Sequence, residues 1–215
     1  MPLIAKDVGG GDFTPVPEGT HLAICNMVVD LGLQDTTFQG KPTVKHQCFV
    51  RWELPHERIE WTDKDGTPKN GPMSIGKTYT LSLSEKANLR KDLQAWRGKA
   101  FTPDELEGFD VFKLLGVGCQ VTVVHAVKDG KTYANVQNLA GWPKGVPKPQ
   151  TTENPVLRYS DTEPKDYDKL PQWVRDKLDK RVKANGHDEP PPAEPDDYVG
   201  GGAVDHDIPF APSKF

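Results

Sequence analysis

The alternation of apolar and polar residues changes period twice along this chain. From Gly19 to Gly32, GTHLAICNMVVDLG is a β-branched, apolar run that predicts a first strand. The polar stretch LQDTTFQGKP is expected as a loop. TVKHQCFVRWEL then alternates: Val44, His46, Cys48, Val50, Trp52 and Leu54 share one face, and Lys45, Gln47, Phe49, Arg51 and Glu53 the other. The first face is expected in the core and the second in solvent. A long polar loop is expected over PHERIEWTDKDGTPKNGP, followed by a third strand, SIGKTYTLSL. The period then becomes helical. In SEKANLRKDLQAWRGK, Leu89, Leu93 and Trp96 fall at i, i+4 and i+7 as one apolar stripe, with Ser84 as N-cap and Gly98 as the stop. Thr102 and Pro103 open a short second helix. GCQVTVVHAV and KTYANVQNLA flank Lys128-Asp129-Gly130-Lys131, a β-hairpin signal through its Asp-Gly. Past Trp142 the chain turns Pro/Thr/Asp-rich. One more helix fits PQWVRDKLDKRVK, with Pro171 at its first position and Val174, Leu178 and Val182 on one side.

Three strands, a helix and two strands is the order of an OB-fold, a five-stranded Greek-key barrel with a helix between strands three and four. Other small β-barrels fit the same order. The expected organisation is mainly β: a flexible N-terminal segment over 1–16, the barrel over 17–142, a linker with an accessory C-terminal helix over 143–186, and a disordered acidic tail over 187–215.

Composition adds to this picture. An apolar content of 35% with 20 prolines and 20 glycines implies a modest core and long unstructured parts. Cys25, Cys48 and Cys119 lie far apart with no CxxC pair, so they are expected as reduced, buried thiols of a cytoplasmic protein. No stretch is apolar enough for a membrane span, and the N-terminus carries no signal-peptide pattern. The total charge is −4, but residues 187–215 hold seven acids and one base, a net −6, which leaves the body at +2. A mildly basic body with an acidic end marks an interaction tail.

Candidate chemistry points to binding, not catalysis. Gly71 to Thr78, GPMSIGKT, matches the P-loop pattern, yet polar turn-formers precede it and a strand pattern follows, the reverse of what a phosphate loop needs. The six histidines form no metal pattern, no cofactor is expected, and no nucleophile–base arrangement stands out. Basic and aromatic residues are the better lead. The candidate single-strand contacts are Phe38, Lys41, Lys45, Phe49, Arg51, Lys77, Tyr79, Arg90, Lys131 and Tyr133. Cations track phosphates and aromatic rings stack on bases without sequence readout. In an OB-fold such ligands lie on strands two and three and on the one-two and four-five loops. Tyr79 shares parity with Leu81 and Leu83, so burial is open for it.

The tail, DDYVGGGAVDHDIPFAPSKF, resembles the C-terminal tip of bacterial single-stranded DNA-binding proteins, which ends in acids followed by Ile-Pro-Phe. YTLSLSEKANLRKDLQAWRGKAF and GKTYANVQNL resemble the OB-fold single-stranded DNA-binding proteins of tailed bacteriophages. These resemblances imply sequence-tolerant binding and protection of single strands in phage DNA replication or recombination, in the cytoplasm of a bacterial host. They also imply that replication, recombination or repair enzymes are recruited through Asp205, Asp207, Ile208, Pro209 and Phe210. A homodimer is an open option, and no membrane role is implied. The tip departs from the bacterial pattern, where Phe is terminal: here Ala-Pro-Ser-Lys-Phe follows Phe210. Either Phe210 works internally, or Phe215 supplies the terminal ring, or docking differs. Two rival readings remain, a protein-recruiting adaptor without nucleic-acid affinity and an RNA-binding regulator.

Overall fold

The computed structural model describes residues 14–182, apart from residues 64 and 149–150. The chain is mainly β. Strands β1 (Gly19–Phe38), β2 (Lys41–Thr62) and β3 (Pro68–Thr80) are followed by helices α1 (Asn88–Arg97) and α2 (Pro103–Glu107) and a 3-10 turn at Val111–Leu114. Then come β4 (Gly118–Lys128), β5 (Lys131–Gly141), the short β6 (Leu157–Tyr159), a second 3-10 turn at Tyr167–Lys169, and α3 (Gln172–Asp179). The five long strands form one antiparallel sheet in the order β3-β2-β1-β4-β5. β1 runs against β4 from Gly19 to Ile24. Just beyond, β6 pairs with it in parallel at Met27–Val29.

Two expected loops are strands. LQDTTFQGKP continues β1 to Phe38, turns at Gln39 and Gly40, and returns as β2. Both turn residues have positive φ (49° and 76°), the geometry of a tight hairpin with right-handed twist. PHERIEWTDKDGTPKNGP likewise continues β2 to Thr62 and restarts as β3 at Pro68. There Asp63 caps the turn by accepting from the backbone N–H groups of Asp65 and Thr67 at 3.0 and 2.8 Å. Polarity hid both segments, because exposed hairpin arms need little apolar surface once their backbone groups pair with each other. GPMSIGKT lies wholly within β3, laddered to β2.

The helices follow the sequence in register and differ at their starts. Leu89, Leu93 and Trp96 are buried, and Gly98 closes α1 in the left-handed conformation at φ 67°. Ser84 is not the N-cap: α1 begins at Asn88 after Ala87, because Ser84 instead accepts the Ala87 N–H in a preceding turn. Thr102 and Glu105 form a capping box at α2. Pro171 takes the N-cap position of α3, not its first turn, and its carbonyl accepts from Val174 and Arg175.

Two apolar clusters result, one on each face of the sheet. The inner one is built by Cys25, Val28, Cys48, Val50, Trp52, Leu54, Ile75 and Tyr79 with the α1 stripe and Val121, Val123, Val136 and Leu139. The outer one joins Met27, Val29, Leu31 and Phe49 to Leu157, Tyr159, Leu170, Val174 and Leu178. The segment expected as a linker is therefore part of the folded body. It straps the outer face of β1 and β2, clipped by Glu53, which is 1% exposed. The Glu53 carboxylate accepts the N–H groups of Glu153 at 2.9 Å and Asn154 at 2.7 Å. All three cysteines are free and buried. Burial pushes their thiols up, Cys48 to about 12, so they stay protonated.

Candidate nucleic-acid interface

The strap decides which candidate contacts can meet a ligand. Strand parity on β2 is as expected, with Cys48, Val50, Trp52 and Leu54 facing the inner cluster. The opposite face is not solvent. Phe49 is 0% exposed and meets Trp173 of α3 edge-on, ring centroids 4.8 Å apart. Arg51 is 7% exposed, and its Nε donates to the Asn26 side-chain oxygen at 3.1 Å. Burial pulls its guanidinium down to about 10, against the pull of Glu53. Phe49 and Arg51 are thus corrected from contacts to buried structure: an aromatic ring beside α3 gains more from a second apolar layer than from water.

On β3, Tyr79 is buried as well. Tyr79 is 3% exposed, and its hydroxyl donates to Asp92 at 2.8 Å. Burial, with Asp92 adding to it, pushes the phenol well above its ordinary range. Lys77, half-buried, donates to the same carboxylate at 2.8 Å. Both share the inner parity of Ile75, so the pair clamps β3 to α1. Arg90, on α1, donates to the Leu83 carbonyl at 3.1 Å and holds the turn before the helix.

The distal β1–β2 hairpin is different. Cross-strand pairs Gln34–Lys45, Thr36–Thr43 and Phe38–Lys41 put their side chains on one face, where Gln34 still bonds to the strap and the next two pairs continue toward the tip. The Lys45 ammonium lies 4.7 Å from the centroid of the Phe38 ring, and Lys41 is exposed. At the base of this arm, His46 Nε2 and Asp30 Oδ1 lie 2.6 Å apart. The Asp30 hydrogen bond raises the His46 pKa against the cost of burial. Burial pushes the Asp30 carboxyl up, but the hydrogen bonds from His46 and the Gly32 N–H outweigh it and hold the pKa below the usual carboxylate value. A second hairpin, β4–β5, turns at Asp129 and Gly130 and carries exposed Lys131 with half-buried Tyr133 two residues on.

Sequence reasoning missed the contribution of α3. Gln34 donates its side-chain amide to the Lys177 carbonyl at 3.2 Å, and the Val182 N–H donates to the Leu33 carbonyl at 2.8 Å. These bonds bring Lys177, Lys180 and Arg181 to the arm's base, where Arg181 pairs with Asp161. The helix was legible, but nothing in its stripe named the face it packs on. Asp205, Asp207, Ile208, Pro209 and Phe210 lie outside the described residues. Among the described residues no helix is long and apolar enough to cross a membrane. No family model matches the chain, and no curated protein matches it.

Proposed function

We propose that this protein binds single-stranded DNA without sequence preference, through the distal β1–β2 hairpin and the β4–β5 turn of an OB-type barrel. The observation that carries the reading is the one-faced set Phe38, Lys41 and Lys45, a ring and two cations toward the tip of the arm. A ring with adjacent ammonium groups suits a base with its flanking phosphates. The strand order, the helix between β3 and β4, and the approach of β3 to β5 support the Greek-key barrel. On the sequence resemblance, the protein covers single strands in phage replication or recombination, and its acidic tail recruits enzymes through Asp205, Asp207 and the Ile208-Pro209-Phe210 hook.

Fluorescence anisotropy of labelled dT, dA, RNA and duplex oligomers across a salt series tests this. Affinity for dT should fall with a log–log slope near −0.7 per phosphate neutralised. A flat salt response or equal affinity for duplex would refute the reading. Preference for RNA would point to a regulator that reads 2′-hydroxyls.

A further inference from the structure

Where β4 begins and β5 ends, alongside Ile24 of β1, lies a cleft of about 650 Å3. Its walls are the end of α1 (Trp96, Arg97), the 3-10 turn (Lys113, Leu114), the first residues of β4, the last of β5, and the segment from Trp142 to Lys148. Trp142 is fixed there. Its ring lies against Gly118, where a Cβ would come within 2.5 Å of the indole, so only glycine permits the contact. The indole N–H donates to the Val146 carbonyl at 2.8 Å across a turn that needs Gly145 at φ 79°. A ring held at edge and face has little rotamer freedom left to lose on binding a ligand.

The cleft's surface is unusual in charge and polarity. Val117 and Val146 line it while 39% and 38% exposed, a share of open apolar surface few large side chains here show. Among the described residues no Asp or Glu lines it. Arg97 is held within the wall, over the Phe101 ring at 4.4 Å and paired with Glu105. Lys113, Lys144 and Lys148 are exposed and have no carboxylate partner among the described residues. Lys113 comes from the 3-10 turn and Lys144 and Lys148 from the segment after β5, and all three line the cleft with Trp142. Cations from two segments that line one cleft with a fixed ring match a base with its flanking phosphates more than a single acidic group.

We propose that this cleft is a second contact for the single strand, with a base on Trp142 and the neighbouring phosphates on Lys113, Lys144 and Lys148. The inference rests on the reading of the protein as a single-strand binder and extends it to a two-point attachment. Ile24, which pairs with Gly118 at the cleft, and Phe38 on the arm are fourteen residues apart on β1, at most roughly 46 Å. A strand long enough to touch both places binds the second one intramolecularly, and a short one cannot.

The test uses the full chain and dT oligomers of roughly 4 and roughly 30 nucleotides, the short one at the low end of the site sizes of single barrels. The double variant Lys144→Glu/Lys148→Glu should lose at least tenfold in affinity for the long oligomer. Its salt slope should become shallower by about 1.4, for two phosphate contacts at about 0.7 each. Affinity for the short oligomer should change less than threefold. Trp142→Phe, which keeps a ring on Gly118, should lose severalfold on the long oligomer only. A matched charge reversal elsewhere, Lys91→Glu/Lys165→Glu, should affect neither oligomer more than threefold. If the cleft variants keep wild-type affinity and slope while Lys41→Glu/Lys45→Glu abolishes binding, the inference is overturned and the single-strand reading stands. If wild-type protein binds neither oligomer, both fall. If a peptide of residues 187–215 binds wild-type protein and not the cleft variant, with dT binding unaltered, the cleft is a peptide site and the inference is overturned.

Discussion

Phe49 and Phe38 belong to the same β1–β2 hairpin, on the face turned away from the inner cluster, yet their surroundings have nothing in common. Phe49 is sealed between the sheet and Trp173, next to a glycine that leaves room for its ring: a Cβ on Gly76 would stand 2.3 Å from it. Phe38 stands past the end of the strap with Lys45 over it. The covered half of the face is a second core made by residues more than a hundred positions downstream, and the other half runs on past it to the hairpin tip. An alternating strand states which residues share a face. Whether that face meets water depends on what the rest of the chain lays over it.

The largest effects should come from breaking the covered half. Phe49→Ala removes a fully buried ring and should cost roughly 3–5 kcal/mol in stability, measured by urea unfolding. The surviving folded protein should bind dT with unaltered affinity; a loss there would put Phe49 back among the contacts. Glu53→Ala frees two backbone N–H groups of the strap and leaves the buried Arg51 without its neighbouring carboxylate. A loss of roughly 3 kcal/mol is expected. Amide exchange should rise first over residues 153–182, because the clip acts there; uniform loosening of the whole sheet would contradict a strap held at that point.

Smaller effects sharpen the other half. Phe38→Ala should leave unfolding within about 0.5 kcal/mol of wild type and weaken dT binding by roughly 1–3 kcal/mol. The reverse result would make the arm structural. The His46–Asp30 pair at its base gives the mildest signal. His46 has a raised pKa when folded, so its contribution is fully present below the unfolded value near 6.5 and is lost as pH rises through the folded value. Asp30, with a lowered pKa, contributes above about 4, and that share is lost only in acid. Stability should therefore decline modestly from pH 6 to pH 9, and His46→Gln should flatten that decline in thermal melts. An unchanged pH profile in the variant would remove this pair from the arm's support.

How far the chain could be read without its fold varies with the range of the interactions. Leu89, Leu93 and Trp96, the helix start at Thr102, the stop at Gly98 and the Asp129-Gly130 turn all depend on neighbours within a few residues, and the structure has them where the pattern placed them. The parity of β2 was equally local. Hairpin arms over 33–42 and 55–72 were harder, since their strands are held by cross-strand backbone pairing that polar side chains do not announce. Ile59 and Trp61 alternate there as a faint signal. Of the candidate interface, Phe38, Lys41 and Lys45 came together as one face, while Phe49, Arg51, Lys77 and Tyr79 were taken up by packing. The sequence by itself determined the mainly β class, the two faces of β2 and the unequal charge of body and tail, because these follow from side-chain period and residue type. Only the tertiary structure decided which faces stay uncovered and that Trp142, seated on Gly118, lines one cleft with Lys113, Lys144 and Lys148, because burial is set by long-range packing and a strand's own pattern does not say which distant segment will cover it.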